Sequence, residues 1–204
     1  MKFQLERILL FSDAVFAIAI TLMIIEIKPP HLAHGSSFFD GLRAFLELSP
    51  IIIGTVLSFY LIGLFWFRHH DLMKHMVRCD RKFVTLNLSV LLSIAFLPFS
   101  TAFVFQNDPS PFPLLIYNMN YTIVTYLNYK IYAYAFNPKH NLTSSDVSHE
   151  LRKIRIESWY SFGVYVITST LAFFTPLAPI GYMLFAFQHK FATAKKEESV
   201  TEEA

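Results

Sequence analysis

Cysteine is nearly missing from this 204-residue chain. Cys79 stands alone, so an intrachain disulfide and any CxxC metal or redox site are excluded. Charge is also scarce: 16% of residues are charged, against roughly 25% in a soluble domain, while 54% are hydrophobic and 17% aromatic. There is no glycine-rich phosphate loop, no GxSxG and no HExxH, and no TVGYG-type stretch to line a pore with carbonyls. Paired interrupted helices of the transporter kind are not evident either. A cleavable signal does not fit, because Phe3, Glu6 and Asp13 interrupt the amino-terminal run and no small-residue cleavage pattern follows Ile25. What is present is a series of long apolar stretches with the charges bunched between them. The chain therefore reads as an integral membrane protein and not an enzyme, with the lipid bilayer as its solvent and no expected cofactor, metal or nucleic acid.

A span needs about 20 largely apolar residues to cross roughly 30 Å of hydrocarbon. Six are predicted, at about 6–27, 50–67, 83–105, 112–135, 159–175 and 177–191. The second starts either at Pro50 or near Ser37, as a long helix bent at Pro50 whose outer part, Phe38 to Leu46, is amphipathic. The last two form a hairpin around Thr175-Pro176 and Pro179. Residues 1–194 are thus expected to form one six-helix domain, followed by a disordered cytoplasmic tail at 195–204. Lysine and arginine gather in alternate segments, among them Arg68, Lys74, Arg78, Arg81 and Lys82, then Arg152, Lys153 and Arg155. The intervening loops hold only Lys28 and Arg43. Both termini are therefore expected in the cytoplasm.

The first span opens Arg7-Ile8-Leu9-Leu10-Phe11-Ser12-Asp13. Polar groups at the mouth of a membrane helix must find protein partners, because lipid offers none. At about 100° per residue, Ile18, Leu22 and Ile25 fall within about 60° of one another, with Thr21 at one flank and Asp13 roughly opposite. Such a stripe either faces an axis or simply packs against helices and lipid; spacing alone leaves both open. Arg7 and Asp13 are about 120° apart around the helix, too far to pair as i,i+4 neighbours do. Each is expected to reach another helix, where His69 and His70 and, one turn into the third span, Asn87 are available. Such a cluster is either structural glue or a gating and pH-responsive group. The histidine pair alone makes no metal site, since adjacent helical residues diverge by about 100°. In the fourth span Asn118, Asn120 and Asn128 sit among tyrosines and are expected to hydrogen-bond between helices.

The string Arg7-x-x-x-Phe11-Ser12-Asp13, at the start of a first membrane helix, resembles the signature of the transmembrane protein 175 family, whose animal members are potassium channels of endosomes and lysosomes. The likeness continues through Ala14 to Leu22 and through Trp66-Phe67-Arg68-His69-His70; beyond Asn87 it is one of helix number and hydropathy. It implies an all-α, six-helix transmembrane fold carrying a single repeat, where animal members carry two. Four copies of a bacterial member would assemble as a homotetramer in the cell membrane, the first helix of each lining the pore. The resemblance further implies a constriction at Ile18, apolar rings at Leu22 and Ile25, and a selectivity threonine at Thr21. A bracing network would be built from Arg7, Ser12 and Asp13, with Phe11, His69, His70 and Asn87 around them. The implied function is a potassium-selective or potassium-permeable channel for monovalent cations with a hydrophobic gate. The alternative is a proton-permeable channel or proton-coupled transporter using Arg7, Asp13, His69 and His70.

Overall fold

A computed structural model describes residues 5–107, 110–143, 148–171 and 173–174. Helix α1 runs Leu5–Ile25, α2 Phe38–Leu46, α3 Ser49–Lys74, α4 Arg81–Ala95, α5 Leu97–Phe105, α6 Pro111–Ala135 and α7 Ser148–Leu171, with a 3-10 turn at Pro138–His140. Every named element among the described residues is helical. Three are long and apolar enough to cross a membrane: α1, α3 and the composite of α4 and α5. The predicted sixth span at 177–191 and the tail at 195–204 lie outside the described residues.

Caps and prolines set the boundaries. Ser37 and Asp40 form a capping box that starts α2. Asp80 caps α4, its carboxylate accepting the Phe83 N–H at 2.8 Å. The apolar run predicted as one span over 83–105 is two helices, because Pro98 in the first turn of α5 has no N–H to give the preceding turn. The helix predicted at 159–175 begins eleven residues earlier, at Ser148. Its early turns carry Arg152, Lys153 and Arg155, while Ile154, Glu157 and Ser161 turn inward at helical spacing.

Helix α6 packs against α4, α5 and α7, and α1 against α3, α4 and α5. Polar residues of α6 add hydrogen bonds to the apolar packing that joins it to its neighbours. Asn118 Nδ2 donates to Thr168 Oγ1 at 3.1 Å and to Ser169 Oγ at 2.7 Å, and Asn120 Nδ2 donates to Ser100 Oγ at 3.1 Å. Ser58 pairs with the Tyr117 hydroxyl at 3.0 Å and accepts from Thr101. Without water to compete, such bonds fix which helix faces which. Gly54 leaves room on α3 for a side chain of α5: a Cβ there would sit 2.2 Å from the Phe105 ring.

Candidate functional site: the two faces of the first helix

Helix α1 buries only one narrow face, made of Ser12, Phe16, Ala19 and Met23. Their three- and four-residue spacing forms a single stripe. The opposite face is uncovered over the whole helix: Ile18 is 57% exposed, Leu22 41% and Ile25 72%. Thr21 lies on the same side, and its hydroxyl donates to the carbonyls of Ala17 and Ile18, both at 3.0 Å. With its proton engaged by the backbone, the Thr21 oxygen can offer only lone pairs outward. The exposed face thus combines an apolar surface with the acceptor oxygen of Thr21.

The buried face is braced by polar contacts at the end where α1 begins and α3 finishes. Ser12, fully buried, donates to the Ile8 carbonyl at 2.8 Å and accepts from Asn87 Nδ2 at 3.0 Å. Asp13 Oδ1 accepts the Trp66 indole N–H at 2.9 Å. The Trp66 ring stacks on His70 with centroids 5.7 Å apart, and Phe16 lies against His69 at 5.5 Å. His69 is wholly buried, and neither of its ring nitrogens has a hydrogen-bond partner among the described residues. The Asn87 side-chain oxygen is likewise buried and unpartnered there.

The seven residues predicted as one network therefore separate. Ser12 and Asn87 are joined, and Asp13, His69 and His70 sit on α1 and α3 around Trp66. Arg7 and Phe11 do not join them. Both are exposed, because eleven and seven residues are close to whole numbers of turns and bring them to the side of Ile18. Among the described residues Arg7 has no ion-pair partner. The partner of Asp13 is an indole N–H and not a cation, which a search for opposite charges overlooks; the signal was Trp66 itself, at the end of an apolar run. Also outside the sequence reading is the ion pair of Arg68 with Glu157 at 2.8 Å, little exposed, joining α3 to α7. The Tyr132 hydroxyl donates to the Arg68 carbonyl and draws α6 to the same point. No group of three or more metal-ligating side chains converges among the described residues.

At the same edge Asp80 accepts from the Tyr134 hydroxyl at 2.5 Å. Burial alone would raise its carboxyl, but hydrogen bonds from Tyr134 and the backbone at Phe83 and Lys82, with His140 nearby, hold it below the ordinary carboxylate value.

Residues 7–98 match the family described as endosomal/lysosomal potassium channel TMEM175. A potassium channel of Streptomyces collinus is 41% identical over 96 residues, which are 47% of this chain and 45% of that protein; the aligned part thus spans less than half the length of that relative. A potassium channel of Chamaesiphon minutus is 28% identical over 179 residues, 86% of this chain and 87% of its own. The endosomal/lysosomal proton channel TMEM175 of Gallus gallus is 37% identical over 98 residues, 46% of this chain and 20% of that protein. Among solved structures, the lysosomal potassium-selective channel TMEM175 homolog from Chamaesiphon minutus superposes with a TM-score of 0.75 at 24% identity, covering 92% of this chain and 97% of that one.

Proposed function

We propose, from the likeness of residues 7–98 to the TMEM175 family, that this chain is a potassium-permeable channel of the cell membrane. Four copies surround an axis, each contributing the uncovered face of α1, and both termini lie in the cytoplasm. Six spans per copy, within residues 1–194, complete the domain. One observation carries this reading: the most apolar of the three candidate spans is packed along one narrow face, with polar contacts at its Ser12–Asp13 end, and left open along the other, where Ile18, Leu22 and Ile25 stand.

Ile18 forms the neck. A bare cation against isoleucine would lose its hydration without replacement, at a cost on the order of tens of kcal/mol in a fully apolar surround. The neck therefore passes an ion only when wide enough to admit it partly hydrated, and blocks by dewetting when narrow. Thr21 hydroxyls, three residues on, present acceptor oxygens to an ion leaving the neck and favour potassium over sodium modestly. Leu22 and Ile25 continue the apolar lining. Ser12–Asn87 and Asp13–Trp66 hold α1 against α3 and α4, so that the lining face keeps its direction. Arg7 and Phe11, on the lining side at the cytoplasmic mouth, belong to the contact between neighbouring copies.

Planar-bilayer recording of the reconstituted protein under a K⁺/Na⁺ gradient tests this. The reversal potential shifts toward the potassium equilibrium value; a value of zero at every gradient removes potassium from the reading. A second reading, a proton pathway, draws on the relatives named as proton channels and on the unpartnered His69 nitrogens within electrostatic reach of Asp13. It requires proton flux that stops in Asp13→Asn while potassium current through the open α1 face persists.

A further inference from the structure

We propose that α2 is an interfacial membrane anchor, lying in the outer headgroup layer with its aromatic face in the acyl boundary. The inference concerns a surface that the pore reading does not use. At about 100° per residue Phe38, Phe39, Leu42, Phe45 and Leu46 fall in an arc about 120° wide, with Asp40, Arg43 and Glu47 on the other side. None of the helix is buried: Phe38 is 78% exposed and Phe39 76%. So concentrated an apolar face does not stand in water without a partner.

Three observations select the bilayer as that partner. The first is position. Gln106 Nε2, at the end of α5, donates to the Glu26 carbonyl just after α1 at 2.7 Å, which fixes the edge where α1 and α5 end and α3 begins. Arg68 and Lys74 toward the end of α3, Arg78 just after it, and Arg81 and Lys82 at the start of α4 lie at the opposite edge. Helix α3 alone, 26 residues long, extends about 39 Å at 1.5 Å per residue, more than the roughly 30 Å hydrocarbon core. Helix α2, which precedes it, therefore falls at headgroup level, where aromatic side chains accumulate.

The second is charge. Arg43 and Glu47 pair with each other at 3.6 Å, and the Asp40 carboxylate accepts both the Ser37 N–H at 2.9 Å and the Ser37 O–H at 2.8 Å. The polar face is satisfied within itself, so attraction to the membrane is apolar and needs no anionic lipid. The third is size. Five side chains on nine residues fall well short of the roughly 800 Å² per partner, from 20–30 residues, of a stable protein interface, whereas a short amphipathic helix needs only to sink about 5–10 Å into the interface. The junction permits the required bend: Leu48 gives α3 no side-chain cap and Pro50 gives it no N–H.

The test uses the full chain in phosphatidylcholine vesicles, with Cys79→Ser as background and nitroxide labels on Phe39→Cys, Phe45→Cys, Arg43→Cys and Glu47→Cys in turn. Labels at 39 and 45 collide several-fold more with lipid-dissolved oxygen than with an aqueous nickel chelate. Those at 43 and 47 show the reverse, and adding phosphatidylglycerol changes neither ratio by more than a small fraction. As a second measurement, the tryptophan of Phe39→Trp is quenched by lipids brominated high on the acyl chain. Aqueous-type collisions at all four positions overturn the proposal. So does protection of 39 and 45 from both reagents, which marks a protein neighbour, or insertion that appears only with anionic lipid.

Discussion

Helices α1 and α6 invert the rule familiar from soluble proteins. The more apolar of the two, α1, is left largely uncovered, while α6, with three asparagines and six tyrosines, has Tyr117, Tyr121, Val124 and Ile131 fully buried. In a bilayer, greasiness does not drive a helix inward, because lipid is as apolar as leucine. Intrachain packing is instead selected by polar groups that only another helix can satisfy, and by close contact of small residues. An apolar helix braced along one narrow face is thereby free to spend the other on something outside its own chain. The same contrast explains why α7, of modest hydropathy, is tied to its neighbours by Glu157, Thr168 and Ser169, whereas the outward side of α3 carries Ile53, Tyr60 and Phe67.

If polar contacts hold the fold together, breaking the ion pair between α3 and α7 has the largest effect. Glu157→Leu leaves Arg68 charged with little access to water and is expected to cost on the order of 3 kcal/mol, read as a fall in thermal midpoint in detergent. Arg68→Met with Glu157→Leu together recovers much of that loss; a double variant as unstable as the single would deny the pair its role. Next comes Gly54→Ala. Its methyl meets the Phe105 ring and is expected to destabilise by about 1–3 kcal/mol, with partial rescue by Phe105→Leu. Asn118→Leu, which removes the bonds to Thr168 and Ser169, is expected to cost about 1 kcal/mol. Leu22→Ala on the open face of α1 shifts folding by less than about 0.5 kcal/mol, yet alters single-channel current. Equal thermal shifts for these two would erase the distinction between the helices.

The smallest effect is at Asp80. Its folded-state carboxyl titrates below the unfolded value near 3.8, so its contribution to α4 is complete above that value and is lost as pH falls through the lower, folded one. Asp80→Asn keeps an N-cap side chain but flattens this acid limb of the stability profile.

Much of this architecture was legible from hydropathy and punctuation, and the failures have identifiable causes. Long apolar runs marked α1 and α3 because nothing polar interrupts them. The break at Phe96 was hidden by the apolar residues on both sides of Pro98, although the proline was in plain view. The start of α7, eleven residues before the expected span, is hard to read because the charges of Arg152, Lys153 and Arg155 obscure an inward stripe that itself contains Glu157 and Ser161. At the site, the spacing of Ile18, Leu22 and Ile25 gave a stripe, but a stripe exists on any side of an apolar helix. Only packing tells which side is covered. Chemistry alone pairs Arg7 with Asp13, whereas eleven residues of helix carry Arg7 around to the side of Ile18. Trp66 is not legible as a partner because its donor is neutral and 53 residues from the carboxylate it meets.

The claim that Ile18 borders a conduction path is tested most directly by Ile18→Cys in a Cys79→Ser background, recorded in a planar bilayer while Ag⁺ is added in water. With residue 18 at the neck, silver reaches the thiol and abolishes the potassium current, and Cys79→Ser alone is unaffected. A current that persists in the cysteine variant, with the thiol reacting only with a lipid-soluble maleimide, would place this side chain against acyl chains and contradict the account.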